Sequence, residues 1–106
     1  MRYTITGRNI DVTPGLREAV IEKIGKLERY FNQDTEAIIT LSVTKDRQKI
    51  EVTIPVKGHI IRAEEQSTDM YVSIDLVEEI IERQLKKYKT KLIDKKQSLI
   101  DFSEIY

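Results

Sequence analysis

The chain has 106 residues, with 18 basic and 18 acidic side chains, no cysteine and one histidine. A formal charge of zero argues against holding a polyanion through the overall field, and the lack of cysteine excludes disulfides, thiolate metal sites and a Cys nucleophile. The 40% apolar and 34% charged composition fits one soluble folded domain with a modest core, and no apolar run approaches the ~20 residues of a membrane helix.

Met1-Arg2-Tyr3-Thr4-Ile5-Thr6 alternates as a strand does and lacks the apolar core of a signal peptide, so a cytoplasmic location is the simplest reading. Gly7 is expected to end that strand, with a loop over Arg8-Asn9-Ile10-Asp11-Val12. Thr13-Pro14 is a helix start, because Thr accepts an N–H at the N-cap and Pro fits the first helical position. The helix carries Leu16, Val20, Ile24, Leu27 and Phe31 on one stripe, with Gly25 opposite, and ends at Asn32-Gln33-Asp34.

Ala37, Ile39, Leu41 and Val43 then alternate with polar residues, followed by a polar turn at Lys45-Asp46-Arg47-Gln48. Ile50, Val52, Ile54 and Val56 alternate likewise, so a hairpin is expected, with Pro55 near a strand end. Lys57-Gly58 turns into a fourth, shorter strand over His59–Glu65. Thr68 or Asp69 caps a last helix with the stripe Met70, Ile74, Val77, Ile81, Leu85, Tyr88, Leu92, running to about Ile93. The order β-α-β-β-β-α predicts an α+β two-layer sandwich, a four-stranded sheet with both helices on one face. Its first two strands are joined through a helix and are expected to run parallel. The open face would carry Ile38, Thr40, Ser42, Thr44, Glu51, Thr53 and Arg62. Residues 1–93 read as the folded domain and 94–106 as a tail or linker.

The last helix changes charge sign halfway. Asp75, Glu78, Glu79 and Glu82 precede Arg83, Lys86, Lys87, Lys89 and Lys91. Arg83, Lys87 and Lys91 recur every four residues, and Lys23 and Lys26 lie on one flank of the first helix. Were the helices side by side, these rows would line a groove for phosphates, with RNA the favoured polyanion. The plainer account is helical: acids early and bases late complement the helix dipole, and Glu79–Arg83 and Glu82–Lys86 are favourable i,i+4 pairs. It leaves Lys87, Lys89 and Lys91 without an acid four residues earlier.

Catalysis finds little support. His59 stands beside a turn with no second histidine, Asp69 reads as a cap and Asp75 as first-turn dipole compensation, and the four glycines form no phosphate loop. No cofactor, metal or small-molecule substrate is implied. Among RNA-binding modules, an RRM needs sheet aromatics, of which these strands carry none beyond Tyr3, and a KH domain needs a GxxG loop, which is absent. The α-β-β-β-α order matches a double-stranded RNA-binding domain, but the turn at Lys45–Gln48 is too short for its groove-reaching loop.

Three stretches resemble the ribosome hibernation promoting factor family, also called ribosome-associated inhibitor A or sigma modulation protein. They are Ile5-Thr6-Gly7-Arg8-Asn9-Ile10-Asp11-Val12-Thr13, then Lys23-Ile24-Gly25-Lys26-Leu27-Glu28-Arg29-Tyr30-Phe31, then Ala63-Glu64 through Asp69-Met70-Tyr71-Val72-Ser73-Ile74-Asp75, with Gln84-Leu85-Lys86-Lys87-Tyr88-Lys89 after it. The resemblance covers about residues 2–95. It implies a translation inhibitor that sits in the decoding channel of the small ribosomal subunit, over the mRNA and tRNA sites, and keeps idle ribosomes inactive. It also implies rRNA contacts by Lys23, Lys26, Arg83, Lys86, Lys87, Lys89 and Lys91. The ending Gln97–Tyr106 departs from the polar tail of short members, which reads as the N-terminal domain of a long member. A ribosome-independent RNA-duplex module and a protein-interaction domain that self-associates through a strand edge stay open as alternatives.

Overall fold

The fold is given by a computed structural model that describes residues 1–31, 34–56 and 58–95, with side chains described up to residue 87. Four strands, β1 (Arg2–Arg8), β2 (Glu36–Thr44), β3 (Arg47–Val56) and β4 (His59–Ser67), and two helices, α1 (Pro14–Gly25) and α2 (Met70–Lys95), follow the expected β-α-β-β-β-α order. The strands lie in the order β1-β2-β3-β4. β1 runs parallel to β2, with Tyr3 opposite Ala37 and Ile5 opposite Ile39, and the other pairs are antiparallel.

Strand alternation places Ala37, Ile39 and Leu41 of β2, Ile50, Val52 and Ile54 of β3, and Ile61 and Ala63 of β4 on one buried face. Leu16, Val20 and Ile24 of α1 and Met70, Ile74, Val77, Ile81 and Leu85 of α2 close over it. The far sheet face bears the expected Ile38, Thr40, Ser42, Thr44, Glu51, Thr53 and Arg62, together with Arg2, Arg8, Arg47, Lys49 and Glu64. Tyr88 and Leu92 continue the α2 stripe in sequence, but their side chains lie outside the described residues, as does the stretch 96–106.

Five details differ from the expectations. β1 continues one residue past Gly7, and the chain then folds back so that Ile10 O occupies the space where a Cβ on Gly7 would stand, 2.3 Å away. Second, α1 stops at Gly25 and tightens into a 3-10 turn over Lys26–Tyr30. Three residues per turn stacks Ile24, Leu27 and Tyr30 into the core, and Phe31 then leaves in an extended conformation and is buried too. Third, Gly25 is not on open surface, since a Cβ there would lie 2.9 Å from the Tyr3 hydroxyl. Fourth, β4 is not short: it runs nine residues, paired with β3 to Ser67. The Lys45–Gln48 turn is also tighter than expected, with Thr44 paired to Arg47 across Lys45 (φ 58°) and Asp46.

Candidate nucleic-acid interface

The Ala63–Asp75 block is first of all a junction. Ala63, Met70 and Ile74 are buried core. Asp69, and not Thr68, caps α2: its Oδ1 accepts from the Tyr71 N–H at 2.9 Å, and its carbonyl accepts from the Ser73 N–H at 3.0 Å. Ser73 is the one buried polar residue among those described. Its hydroxyl donates to Gln48 O at 2.6 Å, and the Ser67 hydroxyl lies 2.7 Å away. The Ser67 hydroxyl also lies 2.6 Å from the Asp69 carbonyl, so the two serines and the Gln48 and Asp69 carbonyls form one cluster that ties the start of α2 to the start of β3. Neither serine's part is legible from periodicity, which marks apolar positions only. Ser73→Ala removes the side-chain donor to the Gln48 carbonyl, and a loss of about 1–2 kcal/mol in urea unfolding is expected. Tyr71 is 52% exposed, near Gly15 of α1.

Further along, the acids of α2 are taken up by α1 and the turn after it. Lys23 Nζ lies 3.1 Å from Asp75 Oδ1. Glu82 accepts from the Tyr30 hydroxyl at 3.0 Å and is ion-paired with Arg29. Glu78 sits half-buried between them, where the positive charges of Lys26 and Lys23 act on it. The expected groove with two basic walls is therefore not built here: opposite Lys23 and Lys26 stands the acidic side of α2. The reason is rotational. At about 100° per residue, Asp75, Glu78 and Glu82 share the side of α2 that meets α1.

Arg83 and Lys87 are turned about 100° and 140° from Glu82 round the same helix, so they leave the seam. Both are exposed and carry no ion pair among the described residues. Neither expected i,i+4 pair closes: Glu82 reaches across to Arg29 and Tyr30 instead of bonding Lys86, and Glu79 bonds no base among the described residues. Arg83, Lys86 and Lys87 thus form a basic patch on the distal half of α2, while Lys23 and Lys26 lie across the acidic row from it. Lys89 and Lys91 fall on the same helix, but their side chains lie outside the described residues.

The seam polarises its carboxyls in opposite directions. The Tyr30 hydrogen bond, helped by Lys86 and Arg29, holds Glu82 below the usual carboxylate range. Burial, reinforced by the nearby Glu82 charge, pushes Glu78 up. A depressed folded value adds stability above the unfolded one, and that stability is lost as pH falls through the folded value; a raised one subtracts stability as pH rises through it. Glu82→Gln is expected to lower Tm at neutral pH and Glu78→Gln to raise it. The Glu78→Gln difference should vanish in melts recorded below the ordinary carboxyl range, and the Glu82→Gln difference only at lower pH still, once Glu82 is protonated in the folded protein.

Among the described residues no group of three His, Asp or Glu side chains gathers as a metal site needs, and no helix is long and apolar enough to cross a membrane. What remains is a fold with an exposed basic patch, and comparison with known proteins places it. Residues 3–93 match the family described as sigma 54 modulation protein / S30EA ribosomal protein. The chain belongs to that family.

Among curated relatives, a ribosome hibernation promotion factor of Lactococcus lactis is 44% identical over 109 residues, spanning 100% of this chain and 59% of its own length. A protein of the same name from Staphylococcus aureus is 45% identical over 95 residues, 87% of this chain and 50% of its own. The chain thus spans about half to three-fifths of the length of these relatives. Among solved structures, the N-terminal domain of Thermus thermophilus Protein Y superposes with a TM-score of 0.77 at 29% identity, covering 83% of this chain and 99% of that one. A ribosomal subunit interface protein from Coxiella burnetii gives 0.75 at 28%, covering 85% and 99%. These neighbours carry the same two helices on a four-stranded mixed sheet.

Proposed function

We propose that this domain binds the small ribosomal subunit in its decoding channel, over the mRNA and tRNA sites, and so holds idle ribosomes inactive in the cytoplasm. Family membership, with relatives named as ribosome hibernation promotion factors, supports the ribosome as partner. The observation that carries the contact is the unpaired basic patch of α2. Asp75 and Glu82 are engaged by Lys23, Arg29 and Tyr30, so Arg83 and Lys87, which carry no ion pair among the described residues, keep their charge for phosphates, with Lys86 beside them. Lys89 and Lys91 extend the patch, and Lys23 and Lys26 would meet rRNA from the α1 side. Inhibition by occupancy needs no catalytic group. Residues 1–93 form the binding unit.

The test is co-sedimentation with purified small subunits at rising salt, with mRNA and tRNA as competitors. Retention that falls with salt and is displaced by the competitors is expected. Absence of retention at low salt would overturn the ribosome reading, and retention indifferent to mRNA and tRNA would overturn the decoding channel. A duplex-RNA module is disfavoured by the tight turn at Lys45-Asp46, which cannot reach across a groove.

A further inference from the structure

The sheet ends on β4, whose outer edge no strand among the described residues covers. Which backbone groups face that edge follows from the ladder. Thr44 pairs with Arg47, and Val56 with His59, each across a two-residue connection. In such a hairpin the closing residues are hydrogen-bonded to each other. The register is unbroken along both ladders, so Ile61, Ala63, Glu65 and Ser67 bond inward to β3. Ile60, Arg62, Glu64 and Gln66 therefore turn their N–H and C=O groups outward. The Gln84 amide, at the β4 flank of α2, reaches Arg62 O at 3.4 Å, as that direction requires.

The side chains of these four outward residues all stand on the open sheet face and are all exposed, Ile60 at 60%. Their order is apolar, basic, acidic, polar. We propose that β4 is a self-pairing edge, which joins antiparallel to β4 of a second copy of this chain about a two-fold axis at Ala63. In that register Arg62 lies opposite the second copy's Glu64 and Glu64 opposite its Arg62, and Ile60 lies opposite Gln66. All of these are outward-bonding residues, so each opposed pair exchanges two backbone hydrogen bonds. The registers centred one residue either way set Arg62 against Arg62 or Glu64 against Glu64, and like charges directly opposite are repelled. Shifting the axis by half a residue opposes inward-bonding to outward-bonding positions and breaks the ladder.

The occupant is thus chosen by complementarity of the edge with itself, the condition for a closed two-fold contact. Two local interactions bear on it. Glu64 is bonded to Lys49 at 3.3 Å on its own sheet and would be shared between Lys49 and the second copy's Arg62. The single long bond from Gln84 must release. Exposed ion pairs contribute little affinity, so here they set register while the backbone ladder supplies the contact. The residues that set this register lie on the sheet, whereas Arg83 and Lys87 lie on the helix layer.

Sedimentation equilibrium of the chain over a concentration series tests the pairing. The average mass is expected to rise toward twice the monomer. Arg62→Glu and Glu64→Arg should each remain monomeric, since each puts like charges at both central positions. An equimolar mixture of these two variants should dimerise again, because the opposition of charges is restored only between unlike partners. Circular dichroism melts establish that both variants are folded. A wild-type chain that stays monomeric up to about 1 mM overturns the proposal. So do folded variants that associate as the wild type does, or a mixture that stays monomeric.

Discussion

Arg83→Glu combined with Lys87→Glu is expected to weaken retention on small ribosomal subunits by on the order of 100-fold, about 1.4 kcal/mol for each phosphate deprived of its cation. The slope of log affinity against log salt should become shallower by about two. Both side chains are exposed and carry no ion pair among the described residues, so the fold loses little when they change, and the Tm should stay close to the parent's. The seam supplies the internal control. Lys23→Glu faces Asp75 and so replaces an ion pair inside the protein with a repulsion. It should lower Tm as well as binding. If the double variant binds with unchanged affinity and salt slope, the α2 patch does not touch rRNA.

Gly7→Ala is expected to cost about 3 kcal/mol, at the upper end of what overpacking usually does. A Cβ at Gly7 would meet the Ile10 carbonyl oxygen at 2.3 Å and a Val12 methyl at 3.1 Å. The first obstacle is backbone, which cannot rotate aside as a side chain does. The returning segment is constrained at its other points: Asn9 holds a left-handed φ of 59° with its amide on Val43 O, and Thr13 caps α1 through Leu16 N at 3.2 Å. Displacing Ile10 therefore pulls on both the sheet edge and the start of α1. Chemical denaturation is the direct measurement, and a Tm lower by ~10–20 °C should accompany it. A loss under 1 kcal/mol would mean the loop rearranges freely and does not fix the α1 entry.

Much of this molecule is visible along the chain because two periodicities dominate it. The alternating apolar residues Ala37, Ile39 and Leu41, then Ile50, Val52 and Ile54, reach the buried face as expected, and so do the helical steps from Met70 to Leu85. Thr13-Pro14 and Asp69 mark the helix starts through local hydrogen bonding, which needs no knowledge of the rest. Periodicity failed after Gly25. Phe31 is buried as expected, but Tyr30 is buried as well, because a 3-10 turn changes the step from four to three. That choice brings the Tyr30 hydroxyl to Glu82, 52 residues away. The charge pattern was legible as a pattern and illegible as a surface. Nothing in the run from Asp75 to Lys91 says which of its acids will be neutralised by another helix.

The sequence by itself determined the elements, their order, the buried stripe of each and the presence of a basic segment, since each depends on neighbours within a few residues. Tertiary structure alone decided which charges remain free. The rotation of α2 against α1 places Asp75 and Glu82 on Lys23 and Arg29, and leaves Arg83 and Lys87 facing solvent. It also decided that Ile60, Arg62, Glu64 and Gln66 form one exposed edge, because strand order, not strand pattern, determines which backbone groups find a partner. Coulomb pairing and ladder bonding act over a few ångströms in space, and that proximity is created only when distant parts of the chain are packed together.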